Sequence, residues 1–254
     1  MFLVFKKDKL ISYIIVLCTV GVLIIIGATS NLNQTIQTSY IEKEVPVYCA
    51  QTNENKVALT MNCAWNADDI DYILKVLEEN NIKITFFMVG NWVDKYEEAV
   101  NKIYQAGHEI ANHSNTHPHV TNLNYEENIE EIKKCSQKIE KITGEKTTLY
   151  RGPYGEYNNT VLKAAKDENH ITIQWSIDSL DYTGLTEQEM INRIKPKLEK
   201  GSIILMHNGT KNTAASLNGI IKTIKASGFE IVKVSELIYK QNYKIDANGV
   251  QHKE

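Results

Sequence analysis

Two histidines four residues apart, His113 and His117, enclose Ser114, Asn115 and Thr116 and follow the short run His108-Glu-Ile-Ala-Asn112. Histidine is the commonest metal-ligating side chain near neutral pH. A strand ending in such a pair can aim both rings at one ion if the chain turns into a helix there, because positions i and i+4 share a face. Alone, the pair fits equally well a turn cap and a surface residue. Four other segments carry compatible chemistry. His207 ends Ser202-Ile-Ile-Leu-Met206, where an imidazole is well placed as general acid or base. Arg151 precedes a Pro–Gly turn in Arg151-Gly-Pro-Tyr-Gly155, and the only other arginine is Arg193, so planar bidentate donors are scarce. Asp178 and Asp181 follow Trp175 and precede Tyr182; one carboxylate can orient a histidine or the arginine while the aromatics line a sugar-sized pocket. Asn62 and Cys63 close Val57-Ala-Leu-Thr-Met61. Each has a plainer structural reading, namely helix capping, a rigid turn or a small buried strand residue. His108, His119, His170 and His252 read as structural or exposed, and Trp65 and Trp92 as packing residues, either of which could also edge the cleft.

The elements needed to position these side chains alternate along the chain. Buried strands are expected at Val57–Met61, Ile84–Val89, the run into His113, Thr148–Tyr150, Ile171–Ile177, Ser202–Met206 and Glu230–Val234. Between them lie helical spacings such as Ile70, Ile73, Leu74 and Leu77. Thr186-Glu-Gln-Glu189 has the capping-box pattern. Seven strand-then-helix units imply parallel pairing. Such a sheet can close into a barrel, which collects chemistry at strand C-terminal ends, or stay open and doubly wound. The polar residues cluster after five strands, which favours one shared rim.

With 254 residues and 43% hydrophobic content, the chain can bury a full-sized core. The net charge of -3 is interspersed rather than striped, so nucleic acid is not an expected partner. Lys6, Lys7 and Lys9 precede an apolar stretch from Leu10 to about Ala28, close to the roughly 20 residues that span a bilayer. The lysines would stay in the cytoplasm. Residues 1–28 therefore read as a transmembrane anchor or a signal peptide, 29–55 as a polar linker, 56–240 as the main domain and 241–254 as a tail. Either reading of the N-terminus puts the body outside the cytoplasm, anchored by one pass or secreted. The cysteines Cys18, Cys49, Cys63 and Cys135 are read as free thiols, with a Cys49–Cys135 bridge left open.

From about Lys56 to Leu237 the chain resembles the polysaccharide deacetylase family, the NodB-homology carbohydrate esterases, with its sporulation-type branch nearest. The resemblance is carried by Thr60 to Trp65, His113-Ser-x-x-His117, Arg151-x-Pro-Tyr-Gly155, Asp178-Ser-x-Asp181 and Leu205-Met-His207, in family order. It implies a distorted seven-stranded (β/α) barrel that removes N-acetyl groups from amino sugars of a cell-wall or chitin-like glycan. It also implies a divalent metal, usually zinc, on His113 and His117. His207 would protonate the leaving amine, Arg151 orient the base, and Asp178 support His207 or its network. Tyr154 would offer a backbone donor to the oxyanion, and Trp175 and Tyr182 would touch the sugar. The family writes Thr-Phe-Asp-Asp where this chain has Thr60-Met-Asn62-Cys63. Asn62 stands at the base position, where an amide accepts no proton, and Cys63 stands at a metal-ligand position, where a thiolate can serve zinc. Three functions follow: an N-deacetylase weakened at its base, a silent relative that binds glycan or scaffolds, or an O-acetyl esterase.

Overall fold

The computed structural model describes residues 7–34 and 44–254. It has two compact units, Met1–Glu42 and Lys43–Glu254. The first contains one helix, Lys7–Gln34. Most of its described side chains from Ile11 to Ile25 are exposed. Among the described residues no helix is long and apolar enough to cross a membrane. The expected span continues past the side chains described, and Lys6 and residues 35–43 of the expected linker lie outside the described residues.

The second unit is built on parallel strands. In chain order they are β1 (Cys49–Ala50), β2 (Lys56–Cys63), β3 (Thr85–Met88), β4 (Glu109–Asn112), β5 (Leu149–Tyr150), β6 (Ile171–Thr172), β7 (Ile177–Asp178), β8 (Ile203–His207) and β9 (Glu230–Val232). Two more, β10 (Tyr243–Ile245) and β11 (Val250–Lys253), close the chain. The main sheet runs β6-β5-β4-β3-β2-β8-β7, with β9 beside the start of β2. This is a parallel half-barrel of seven strands in line. Its helices form as the apolar spacing demands. Ile70, Ile73, Val76 and Leu77 bury one face of Ile70–Glu79. Tyr125–Thr143 starts with an Asn124/Glu127 capping box and ends at Gly144 in the left-handed region, a conformation glycine adopts without a Cβ penalty. Residues of β2 with outward side chains, Val57, Leu59, Met61 and Cys63, join the core against these helices.

Three expectations are corrected. The sheet does not close by pairing β6 with β7; among the described residues the strand order ends at each of them. The single strand expected over Ile171–Ile177 is two short ones, because this run crosses the gap: Ile173 bridges to Val47, while Ser176 donates to the Ile203 carbonyl. Finally, part of the expected linker and tail belongs to the folded body. β1 pairs with β11, and β11 with β10. Val47 donates to Thr172 and Ala50 to Gly201, so this segment fills the opening between the sheet's ends. Gly201 sits at φ 82° against Ala50, where a Cβ would overlap the Ala50 carbonyl. Strands this short have too few residues to show a period.

Candidate functional site

The C-terminal ends of β2, β4, β5, β7 and β8 open on a cavity of about 540 Å³. Asn62, His113, His117, Tyr154, Trp175, Asp178, Tyr182 and His207 all line it. The structure thus brings together eight of the ten residues singled out in the sequence. Arg151 lies directly beneath, fully buried. Cys63 is the exception. Successive side chains on a strand point to opposite faces, so Asn62 enters the cavity and Cys63 enters the apolar core among Met61 and Met88. Burial pushes its thiol well above the usual range. The expected Cys63 metal ligand is therefore overturned by the register of β2. All four cysteines are free thiols.

The floor of the cavity is a fully connected network. Arg151 donates from Nη1 to Thr60 Oγ1 at 3.0 Å and to Asn62 Oδ1 at 2.9 Å, and from Nη2 to the Gln174 carbonyl at 3.0 Å. Its guanidinium lies 3.9 Å from the Phe87 ring centroid. These oxygens are all neutral, and among the described residues no carboxylate pairs with this cation. Desolvation lowers its pKa to about 9, so it stays charged at neutral pH. Asn62 is oriented by this contact, because guanidinium only donates. Its Nδ2 then faces His113 Nε2 at 3.2 Å. On the far side of that ring, Nδ1 lies 2.7 Å from the Arg151 carbonyl. A carbonyl only accepts, so Nδ1 carries the proton and Nε2 receives the Asn62 amide. Burial, then the neighbouring His117, holds His113 well below the usual histidine range. Burial also lowers His117.

The loop holding both histidines is pinned by a residue the sequence reading passed over. Glu131 accepts from Ser114 Oγ, Asn115 N, Thr116 N and Thr116 Oγ1 at 2.7 to 2.9 Å. These contacts hold a chain with φ of 65° at Ser114 and 61° at His117, values unusual outside glycine. Glu131 looked like one acidic residue among several on an amphipathic helix, with no local signal of this role.

Across the cavity, His207 rests on Asp181. Its Nδ1 is 2.9 Å from Asp181 Oδ1, and its backbone N donates to Oδ2 at 2.6 Å. Thr213 Oγ1 and Tyr182 N donate to the same carboxylate. Of the two roles expected of Asp178, the direct hydrogen bond to His207 is made by Asp181, while Asp178 serves the surrounding network. Asp178 Oδ1 accepts from Leu180 N at 2.8 Å, fixing the turn that carries Asp181 under the imidazole. With Nδ1 held, His207 Nε2 is left for the cavity.

Aromatic rings edge the opening. Tyr154 is 59% exposed and Trp65 and Tyr182 about half. Tyr154 packs edge-on to His117 at 4.7 Å and stacks on His119 at 4.3 Å. Trp65 and Tyr182 each lie 5.3 Å from His207. Of the two tryptophans that packing or the cleft edge could claim, Trp65 lines the cavity, and His119 stands behind the rim residue Tyr154. His170, read as exposed, is buried against Thr147. Trp175 reaches the cavity because Gly155, at φ 69°, has no Cβ to meet its indole.

A polysaccharide deacetylase family model matches residues 50–172. The chain is 30% identical to wild-type BA3943 from Bacillus anthracis, described as a CE4 family pseudoenzyme, with TM-score 0.74 over 83% of this chain and 73% of that one. The chain belongs to the polysaccharide deacetylase family. A mutant of BA3943 described as having restored enzymatic activity matches at 32% identity and TM-score 0.73, over 76% of this chain and 71% of that one. The peptidoglycan-N-acetylglucosamine deacetylase of Bacillus cereus is 29% identical over 203 residues, 78% of this chain and 74% of its own length. Of other curated relatives the chain spans less of the length: 65% of one, 44% of another and 39% of a third.

Enzymes of this family generally depend on a metal. The residues present here do not fit one. A catalytic zinc takes three protein ligands. Three imidazoles line this cavity, but His207 is held on Asp181 through Nδ1 and the His113 lone pair already accepts the Asn62 amide. Among the described residues no group of three His, Cys, Asp or Glu side chains could hold an ion.

Proposed function

We propose that this protein binds an acetylated amino-sugar glycan of the cell wall in the deacetylase groove and that hydrolysis there is arrested. The observation that carries this reading is the Asn62 carboxamide held between Arg151 and His113. It stands where the reaction needs a proton acceptor, and an amide takes no proton at neutral pH. Loss of a general base removes about 10²–10⁴ in rate. The rest of the groove keeps features of use to a sugar ligand. Tyr154, Trp65 and Tyr182 offer flat faces around the opening, suited to the apolar faces of pyranose rings. A body outside the cytoplasm, with the apolar stretch from Leu10 to about Ala28 as its anchor or leader, accords with such a ligand.

A second reading rests on one observation. The His207–Asp181 pair is complete, so a proton donor remains for a leaving group. An O-acetyl ester needs less help from a base than an amide, so slow ester cleavage is the residual activity this half allows.

The test is calorimetry with acetylated glycan oligomers alongside acetate release. The wild type binds and releases no acetate from N-acetyl sugars, while Asn62→Asp with added zinc gains release. Wild-type release that Asn62→Asp leaves unchanged and His113→Ala abolishes would make this an active deacetylase. Absence of glycan binding in both forms would end the binding reading.

A further inference from the structure

The network under the cavity is closed without an ion. Arg151 can only donate, so it fixes Asn62 Oδ1 toward itself at 2.9 Å. The Arg151 carbonyl can only accept, so it fixes the His113 proton on Nδ1 at 2.7 Å. The two remaining groups, Asn62 Nδ2 and His113 Nε2, then meet as donor and acceptor at 3.2 Å. Each of these three contacts pairs a donor with an acceptor. A cation that claimed the Nε2 lone pair would have to displace the amide and leave a buried N–H unpaired, at a cost of about 1–3 kcal/mol. It would also sit near the uncompensated Arg151 charge, and repulsion between two cations in a site of low dielectric is large.

We infer that the Asn62 carboxamide occupies the metal's place in this pocket, bridging Arg151 to the His113 lone pair so that the wild-type site excludes zinc rather than holding it weakly. The two departures in Thr60-Met-Asn62-Cys63 then act separately. Cys63 withholds a ligand by facing the core, and Asn62 actively satisfies one of the two imidazoles that remain. An aspartate at position 62 reverses the second effect. One carboxylate oxygen would meet Arg151 and the other would face the His113 lone pair, acceptor against acceptor. A positive species between them relieves that contact best, so Asn62→Asp should invite a cation to His113 even without a ligand at position 63. The inference holds whether or not a glycan binds, so its test contains none.

The experiment titrates zinc into the full chain by calorimetry and follows the His113 ring nitrogens by ¹⁵N NMR. In the wild type, His113 shows a protonated Nδ1 and an accepting Nε2, and added zinc leaves both unchanged. In Asn62→Asp, zinc binds one per chain, shifts His113 Nε2 and gains at least about tenfold in affinity, the lower end of what altering a ligand's hydrogen-bond partner does. The gain disappears when His113→Ala is added. Asn62→Ala, which removes the amide without adding charge, gives a smaller gain and keeps the test alive should Asn62→Asp fold poorly. Wild-type zinc binding within tenfold of Asn62→Asp and dependent on His113 would overturn the inference. So would Asn62→Asp and Asn62→Ala that both fold and leave zinc binding no better than wild type.

Discussion

The two halves of the cavity differ in kind. On one side His207 rests on Asp181, a buried carboxylate that accepts from an imidazole, a hydroxyl and two backbone amides. On the other, His113 and Arg151 converge on Asn62, a neutral amide, and among the described residues no carboxylate pairs with Arg151. The first half pairs an imidazole with a carboxylate whose oxygens are well supplied with donors. The second is held together by hydrogen bonds through a neutral amide. The contrast shows that a neutral amide can satisfy the same donors that a carboxylate would. Oδ1 of an amide still satisfies Arg151, so the floor does not collapse.

The largest expected effect breaks the intact half. Asp181→Ala removes the carboxylate that His207 Nδ1 and two backbone N–H groups share, and urea unfolding should show a loss of about 3–5 kcal/mol. A loss under about 1 kcal/mol would mean that water replaces the carboxylate and that the halves differ less than their bonding implies. Next, Asn62→Asp supplies an anion to the buried guanidinium. Charged hydrogen bonds are worth about 1.5–3 kcal/mol, so the variant should unfold at higher urea than wild type. A lower midpoint would show that repulsion with the His113 lone pair outweighs the new pair and would sharpen the case that this half is tuned for neutrality.

Two buried histidines of the scaffold behind that half give a pH signature. Burial lowers His108 and His170 to about 4, against about 6.5 in the unfolded chain. Between those values the unfolded state binds more protons, so stability is full above pH 6.5 and falls with acidification. The slope is about 1.4 kcal/mol per pH unit for each histidine, and the loss is complete below pH 4. His170→Gln should shed its share of that slope in urea titrations repeated from pH 7 to pH 4.5; an unchanged slope would place the acid sensitivity elsewhere. The smallest effect concerns the rim. Trp65→Ala and Tyr154→Ala should each weaken glycan binding by about 1 kcal/mol, near fivefold, the scale of one aromatic contact. Loss from only one of them would tell which half of the opening carries the sugar.

Much of this was legible in the residues themselves. The order of the five motifs and the period of the helices sufficed for a parallel α/β body with a site at strand ends. The substitution of Asn62 in the first motif was visible without coordinates. The opening of the half-barrel was not, because the segment that fills it contributes only Val47 and two residues of β1, too few to form a pattern. Glu131 was hidden because its four contacts reach a different element, and nothing in its own helix marks it.

The sequence alone determined which chemical groups exist and in what order strand ends present them: two imidazoles in one loop, a rare arginine, a third histidine, and an amide in place of an acid. Tertiary structure decided how those groups face one another. The pleat register of β2 sent Asn62 inward and Cys63 outward, a turn chose Asp181 over Asp178, and Arg151 set the orientation of the Asn62 amide. The physical reason is that hydrogen-bond direction and strand face depend on partners far away in the chain, and local residue pattern carries no record of where those partners lie.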